Sequence, residues 1–496
     1  MRLYNHQQEA IDFAVSNNGR CALFHDPGLG KTRTGLEIFR RYRSRNSGLK
    51  LLVVCPLSLI NSAWGGDIKQ FTSYSHLPFK KLKGKLPDII IINFEALISK
   101  KNLPVIEELV SEHDFMCIVD ESSRMKNSKS MTTKTLLKLA DEFAYRIVAS
   151  GTPMPNSEEE LWGQMRFVSD TVFNKSFYAF KNEYFHLERE GEVRRGRFVS
   201  SAERRFIFSA GWKYAITDDS RKALMSEIEP FAHWVRKEDA LDLPEKVDET
   251  RDITLSAKER KVYNEIRDQL AAEINGEMVT AEVALKKIMK LRQITSGFVY
   301  SEEGLPIWFN EIEETFGDVK YKRSTSSKLK ELARVFEELG SRQAIIWCQF
   351  HSEIKAIEYL VSKKAKKTVV TLYAGTKDKD DSISRFKSGE AQYLIAHPKS
   401  AAHGLTFVNC TTSIFYSLSY SSEEHIQARD RVHRIGQTKS CLYIYLVATN
   451  TIDEELIDTL NNKQELQDII YHIVGKRAKS KSVKDVKARV PECVGV

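Results

Sequence analysis

The amino-acid sequence predicts an α/β protein of two doubly wound parallel-sheet lobes with helical insertions. Three observations predict it. Between residues 20 and 150, unbroken apolar runs rich in β-branched residues alternate with polar, helix-like stretches. A second alternation of the same kind begins near Lys328. The residues between them carry aromatic and amphipathic spacing suited to helices instead. Apolar runs without polar alternation suit strands buried on both faces of a parallel sheet. Strand–helix alternation then implies helices on both faces. A chain of 496 residues has room for about three domain-sized units, each with its own core. The expected divisions are 1–155, the first lobe, and 156–250, a helical protrusion and connector associated with it. A second helical region, 251–327, precedes the second lobe, 328–475. A basic tail, 476–496, is expected to be disordered.

In the first lobe the strand candidates are residues 21–24, 51–55, 89–92, 116–119 and 146–149. The last four are followed at once by Pro56, Asn93, Asp120 and Ser150. Ligands of doubly wound sheets gather at the carboxyl ends of the strands, so these polar, small or turn residues mark a site. From about residue 157 the pattern changes. Phe167, Phe173, Phe177, Tyr178, Phe180, Tyr184 and Phe185 are spaced for helices, and 188–205 is a charged stretch suited to an exposed loop or hairpin. Residues 231–247 read as a connector. Val262, Ile266, Leu270 and Ile274 mark amphipathic helices over 256–291, and 301–327 reads as a polar loop. The second lobe offers strands at 344–348, 368–372, 393–396, 413–416 and 442–446, and a helix or two over 452–473.

The first lobe carries His25-Asp26-Pro27-Gly28-Leu29-Gly30-Lys31-Thr32 between an apolar run and a helix-like stretch. Gly28 and Gly30 let the backbone curl and turn its N–H groups toward an anion. Lys31 adds a mobile positive charge, and Thr32 a hydroxyl able to reach a magnesium ion. Strand, glycine loop and helix are the context a phosphate-binding loop requires, although His25 stands where the usual pattern has Gly. Taken alone, the stretch also fits a glycine turn before a surface helix.

Asp120-Glu121 ends another apolar run at the same edge. Triphosphate hydrolysis needs one carboxylate for magnesium and another to orient and deprotonate water. Acidic residues also favour helix N-termini, and by itself the pair fits either description. Beside a phosphate loop the functional description is the better fit. In the second lobe, Gln427-Ala428-Arg429-Asp430-Arg431-Val432-His433-Arg434-Ile435-Gly436-Gln437 places Arg431 and Arg434 three apart, on one helical face. Two guanidinium groups in the lobe without a glycine loop suit arginine fingers acting across a cleft. A salt-bridged surface helix explains the arginines less well in this company.

Taken in order, these stretches resemble the Swi/Snf-like ATPases of helicase superfamily two, duplex-DNA translocases with two RecA-like lobes. The resemblance runs from about residue 3 to 460. Leu3-Tyr4-Asn5-His6-Gln7 is similar to the adenine-reading motif, and Asp26 to Thr32 to the phosphate loop. Cys55-Pro56-Leu57-Ser58-Leu59 with Trp64 is similar to a motif that contacts DNA. Asp120 to Asn127 resembles the acidic motif, and Ser150-Gly151-Thr152-Pro153-Met154-Pro155-Asn156 with Glu160-Leu161-Trp162 the coupling motif. Leu291-Arg292-Gln293-Ile294 is similar to part of the second helical region. Gly404-Leu405-Thr406 falls at the fifth motif, and the Arg431/Arg434 stretch matches the last.

The resemblance implies roles. Gln7 would bond adenine, and Gly28, Leu29, Gly30 and Gln427 would line the nucleotide. Lys31 would hold the β- and γ-phosphates. Thr32 and Asp120 would hold magnesium, and Glu121 would activate water. Arg431 and Arg434 would stabilise the transferring phosphoryl group as the lobes close. Ser150 and Thr152, with Pro56, Ser58 and Gly404, would couple ATP to DNA. Four departures from the family pattern stand out. His6 replaces a tyrosine, His25 an acidic residue, Ser122-Ser123 an Ala-His pair, and Thr406 an Asn. The Ser122-Ser123 departure puts coupling through that histidine in doubt, but no phosphate, magnesium or finger residue is lost.

The resemblance thus implies a DNA-stimulated ATPase using ATP and Mg2+ on duplex or branched DNA. It would remodel DNA structures or displace bound proteins in replication, recombination or repair. A weakly active DNA-binding adaptor and a motor subunit of a defence or restriction complex stay open. No accessory module is recognisable, and minimal phage and bacterial members of the family are similar in size. Composition agrees with a soluble, intracellular protein without a membrane partner, expected to be a monomer in a bacterial or phage-host cytoplasm. No apolar run approaches the roughly 20 residues that span a bilayer. The seven cysteines are scattered and never in C-x-x-C spacing, which suggests neither a disulfide framework nor a zinc site. Net charge is +8, compatible with a polyanionic partner. Basic residues crowd 189–205, including Arg194, Arg195, Arg197, Arg204 and Arg205, and also 476–489. Each cluster fits a DNA contact or a solvated face equally.

Overall fold

The computed structural model describes residues 3–155, 157–189, 192–194, 213–276, 281–316, 319–364, 367–401 and 405–462. Gly404, most of the arginine-rich segment and the basic tail lie outside these residues. The chain divides into two compact units, 1–242 and 243–496.

The first unit is built on a seven-stranded sheet. Its strands are β1 (Arg20–His25), β2 (Lys50–Cys55), β3 (His76–Pro78), β4 (Ile89–Asn93), β5 (Phe115–Asp120) and β6 (Phe143–Ala149). A small antiparallel sheet follows, of β7 (His186–Arg189), β8 (Glu192–Arg194) and β9 (Lys213–Ala215). The seventh strand of the main sheet is β10 (Ala232–Val235). Spatial order is β10-β1-β6-β5-β2-β4-β3, and every pairing is parallel. The five expected strands are present. Their unbroken apolar runs have a direct cause: alternate residues enter different cores. In β2, Leu52 and Val54 face one hydrophobic cluster, while Leu51, Val53 and Cys55 face the other. Helix α1 (Asn5–Ser16) and helix α2 (Lys31–Arg43) cover the second cluster with Ala10, Ile11, Leu36 and Phe39. Leu136, Leu161 and Met165 cover the first.

The second unit repeats the plan. Its six-stranded parallel sheet contains β11 (Lys246–Ile253), β16 (Ala344–Trp347), β17 (Val369–Leu372), β18 (Tyr393–Ala396), β19 (Thr412–Phe415) and β20 (Cys441–Ala448), in the order β11-β20-β19-β16-β18-β17. Ile345 and Trp347 of β16 face one core, and Ala344 and Ile346 the other. The amphipathic helices are Ala257–Gly276 and Ala281–Thr295. Among the described residues, no helix is long and apolar enough to cross a membrane. The six described cysteines are buried, and no disulfide joins any of them.

Two stretches differ from expectation. The connector over 231–247 supplies edge strands: β10 joins the first sheet, and β11 begins at Lys246. An edge strand tolerates charge, and the charged residues of β11 gave no apolar signal. The loop expected over 301–327 contains strands as well. Residues Phe298–Tyr300 and Pro306–Trp308 form the hairpin β12–β13, and Asn310–Phe316 and Val319–Thr325 form β14–β15. The three-residue strands of β12–β13 are too short to show a period, and the mainly polar β14–β15 lacks the apolar alternation that reveals a half-buried strand.

Candidate active site

The first unit gathers its chemistry at the carboxyl end of its sheet. β1 runs into the loop 26–30, and α2 begins at Lys31. Gly28 and Gly30 have φ of +94° and +76°, the left-handed region that glycine enters without steric cost. A Cβ on Gly30 would also come within 2.5 Å of Gln7 Nε2. Helix α1 is bound to this loop from outside. Gln7 Nε2 donates to the Gly30 carbonyl at 3.5 Å, and His6 Nε2 lies 3.0 Å from the Leu29 carbonyl. Leu29 is fully buried and anchors the loop to the core. Lys31 Nζ donates to the carbonyls of His25 (2.8 Å) and Asp26 (3.3 Å), while Thr32 occupies the first turn of α2.

Asp120 is the last residue of β5 and almost fully buried. Its Oδ2 accepts from Trp64 Nε1 at 2.9 Å and its Oδ1 from the Glu121 N–H at 3.0 Å. Burial pushes the Asp120 carboxyl above the usual range; the charge of Lys31 and these two hydrogen bonds pull it back only in part. Glu121 has φ +55°, the left-handed region that an L-residue other than Asn or Asp rarely adopts, so the turn after Asp120 carries backbone strain. Ser150 follows β6, fully buried, and its Oγ accepts the Thr152 N–H at 3.1 Å. Gly151 abuts the glycine loop: a Cβ there would lie 2.7 Å from the Pro27 ring and 3.0 Å from its nitrogen. Loop, acidic turn and 150–155 segment therefore meet at one sheet edge.

His25, the departure at the head of the loop, is fully buried. Its Nε2 lies 2.9 Å from Nδ1 of His233 on β10. Burial, then the charge of Lys31, lowers the His25 pKa to about 2, so it is a neutral strut between β1 and β10. Asp26 Oδ2 accepts the Lys237 N–H at 2.9 Å and fastens the same connector. Pro56 is buried after β2, whereas Ser58 is exposed. Trp64, matched to a DNA-contacting motif, is instead a core residue that orients Asp120.

In the second unit the helix Ser422–Arg429 ends before the arginine pair. Arg431 and Arg434 therefore do not share a helical face; they stand on turns. Side-chain bonds to the neighbouring loop take the place of helical bonds. Arg431 Nη1 and Arg434 Nη1 both donate to the Leu405 carbonyl, at 3.0 and 2.9 Å, and Gln437 Nε2 donates to the carbonyls of Val408, Cys410 and Val432. The fifth and sixth motifs thus meet through Leu405, although Gly404 itself is not described. Gln427 is buried on the helix, donating to Glu423 Oε1 at 3.3 Å. His433 Nε2 contacts the Pro244 carbonyl at 2.8 Å. Gln164 and His233 carried no sequence signal, because their partners are remote in the chain.

A glycine loop at a strand–helix junction, with a buried aspartate at a neighbouring strand end, defines a phosphate-loop α/β protein. The model of the SNF2-related domain matches residues 6–297, and that of the helicase conserved C-terminal domain matches residues 327–436. The first match covers more than half of the chain, which therefore belongs to the SNF2-related family, in agreement with the resemblance in its motifs. The chain is similar to the transcription regulatory protein SNF2 of Saccharomyces cerevisiae, at 24% identity over 94% of this chain and 27% of that protein. It is similar to an uncharacterized ATP-dependent helicase of Mycoplasma genitalium, at 24% identity over 94% of this chain and 42% of that one. It is also similar to the putative protein p41 of Acyrthosiphon pisum secondary endosymbiont phage 1, at 22% identity over 91% of this chain and 94% of that one. The chain thus spans roughly a quarter of the yeast relative but nearly all of the phage one. The Sulfolobus solfataricus SWI2/SNF2 ATPase core in complex with dsDNA aligns over 94% of this chain and 91% of that chain, at 23% identity and a TM-score of 0.42.

Proposed function

We propose that the chain is an ATP-driven motor that translocates on duplex or branched DNA and remodels DNA structures or displaces bound proteins. The observation that carries this reading is the meeting of Lys31, buried Asp120 and strained Glu121 at one sheet edge beside the glycine loop. Membership of the SNF2-related family supports DNA as the track.

Lys31 leaves the loop carbonyls to take the β- and γ-phosphates, and the loop N–H groups receive phosphate oxygens. Gln7, already against Gly30, faces the base. The donors suit magnesium: Asp120 and Thr32 offer hard oxygens, and the buried carboxylate lacks full compensation for its charge. When bound, the ion neutralises phosphate charge. Trp64 holds Asp120 in place for that contact. Glu121 orients the attacking water and accepts its proton. Arg431 and Arg434 stabilise charge on the transferred group, their planes set by Leu405. Ser150, Thr152, Pro56 and Ser58 carry the coupling to DNA.

Duplex DNA is expected to raise ATP turnover several-fold, with binding that weakens steeply as salt rises because phosphates are the main contacts. Equal turnover with and without DNA would remove the motor reading. Triplex displacement without unwinding of a forked duplex would separate translocation from strand separation.

A further inference from the structure

Ser122-Ser123 stands where the related motif has a residue thought to couple ATP to DNA, and the fold supplies another route. Ser122 Oγ donates to Gln164 Oε1 at 2.7 Å, with both residues fully buried. The same amide uses Nε2 twice, on the Pro153 carbonyl at 2.6 Å and the Glu160 carbonyl at 3.0 Å. One side chain thereby joins the residue after Glu121 to the middle of the 150–155 segment. Both ends are closely packed. Gly163 brings the helix Leu161–Val168 against the acidic turn so closely that a Cβ would lie 2.6 Å from the Met125 carbonyl oxygen. At the other end, Gly151 touches Pro27 of the phosphate loop.

We propose that Gln164 is the positioning residue that transmits the state of the nucleotide from the Glu121 turn to the Ser150–Pro155 segment. The inference rests on the DNA-motor reading above. A planar amide bonded at both ends transmits displacement because its oxygen and nitrogen are rigidly linked. A shift of the strained Glu121 turn when phosphate arrives moves Ser122, and the amide carries that shift to Pro153. The receiving segment has something to gain by rearranging, since among the described residues the buried Thr152 hydroxyl has no hydrogen-bond partner. Gln164 touches no reacting atom, and its loss leaves the chemical groups where they are.

The test compares the wild type with Gln164→Leu, Ser122→Ala and the double variant, in the full chain. ATP turnover is measured without DNA and across a duplex titration, and thermal melting is followed alongside. Each single variant is expected to keep unstimulated kcat and the KM for ATP within about twofold and to lose most of the DNA stimulation. The double variant should lose no more than either single one, the signature of one shared bond. Gln164→Glu keeps the acceptor for Ser122 but loses the donor to Pro153, and should be uncoupled as well. Ser122→Ala removes only a hydroxyl, so it reads the proposal even if Gln164→Leu melts early. Stimulation retained in Ser122→Ala, additive losses in the double variant, or a fall in unstimulated kcat equal to the fall in stimulated kcat would each overturn the relay. A wild type without stimulation would instead overturn the motor reading itself.

Discussion

In the first unit a carboxylate is sunk among apolar strands with Trp64 on one oxygen, and a left-handed glutamate follows it. In the second unit Arg431 and Arg434 stand on turns, both on the carbonyl of Leu405. The first arrangement is costly without a ligand: a buried charge is partly uncompensated and a backbone is strained. In the second, one nitrogen of each guanidinium rests on a single backbone carbonyl of the unit itself. The difference teaches where binding energy is spent. The magnesium proposed to enter with the triphosphate would relieve the buried carboxylate, whereas the role proposed for the arginines begins only once a triphosphate is held. The first unit should govern nucleotide affinity and pH response, and the second the rate of hydrolysis.

The largest effect expected of the first unit is on turnover. Glu121→Gln keeps the side-chain shape and removes the base, so hydrolysis should fall on the order of 10²–10⁴-fold with ATP affinity retained. Lys31→Ala should lose turnover and affinity together, as seen by titration with a fluorescent ATP analogue. A Glu121→Gln enzyme that turns over normally would break the assignment of chemistry to this sheet edge.

A smaller effect belongs to the loop. Gly30→Ala imposes a left-handed alanine and should cost about 1–2 kcal/mol in denaturant unfolding. Adding Gln7→Ala removes the 2.5 Å approach but leaves the backbone cost, so the double variant should recover only part of the loss.

The smallest effect is a slope. The carboxyl of Asp120 is raised in the folded state, chiefly by burial, so the folded protein holds its proton to higher pH than the unfolded chain does. Its contribution to stability is fully present below the ordinary aspartate range and is lost as pH rises through the elevated value. Nucleotide-free wild type should therefore lose stability relative to Asp120→Asn as pH rises from about 4 toward neutrality. Parallel melting curves across that range would show that Asp120 is compensated after all.

Much of this was legible in the sequence for a physical reason. Strands such as β2 and β4, buried on both faces, are apolar throughout, and Asp120 and Ser150 stand out because polarity begins abruptly at their ends. The phosphate loop was legible because Gly28 and Gly30 serve a backbone need local to the chain. Edge strand β11 was not, since charge is permitted there, and β10 was not because it is only four residues long with His233 breaking its apolar run. The arginine spacing suggested a helical face, but Arg431 and Arg434 bond to Leu405, far back in the sequence, and local period says nothing of such a partner. The same holds for the bond from Ser122 to Gln164 and the contact between His25 and His233.

The proposal turns on whether hydrolysis requires Arg434 as well as the groups proposed to hold ATP. Single-turnover hydrolysis of bound ATP by Arg434→Ala, with ATP affinity measured on the same sample, tests it most directly. The account predicts affinity within about twofold of wild type and hydrolysis slower on the order of 10³-fold or more. Hydrolysis at the wild-type rate, or lost affinity with an unchanged single-turnover rate, would contradict it.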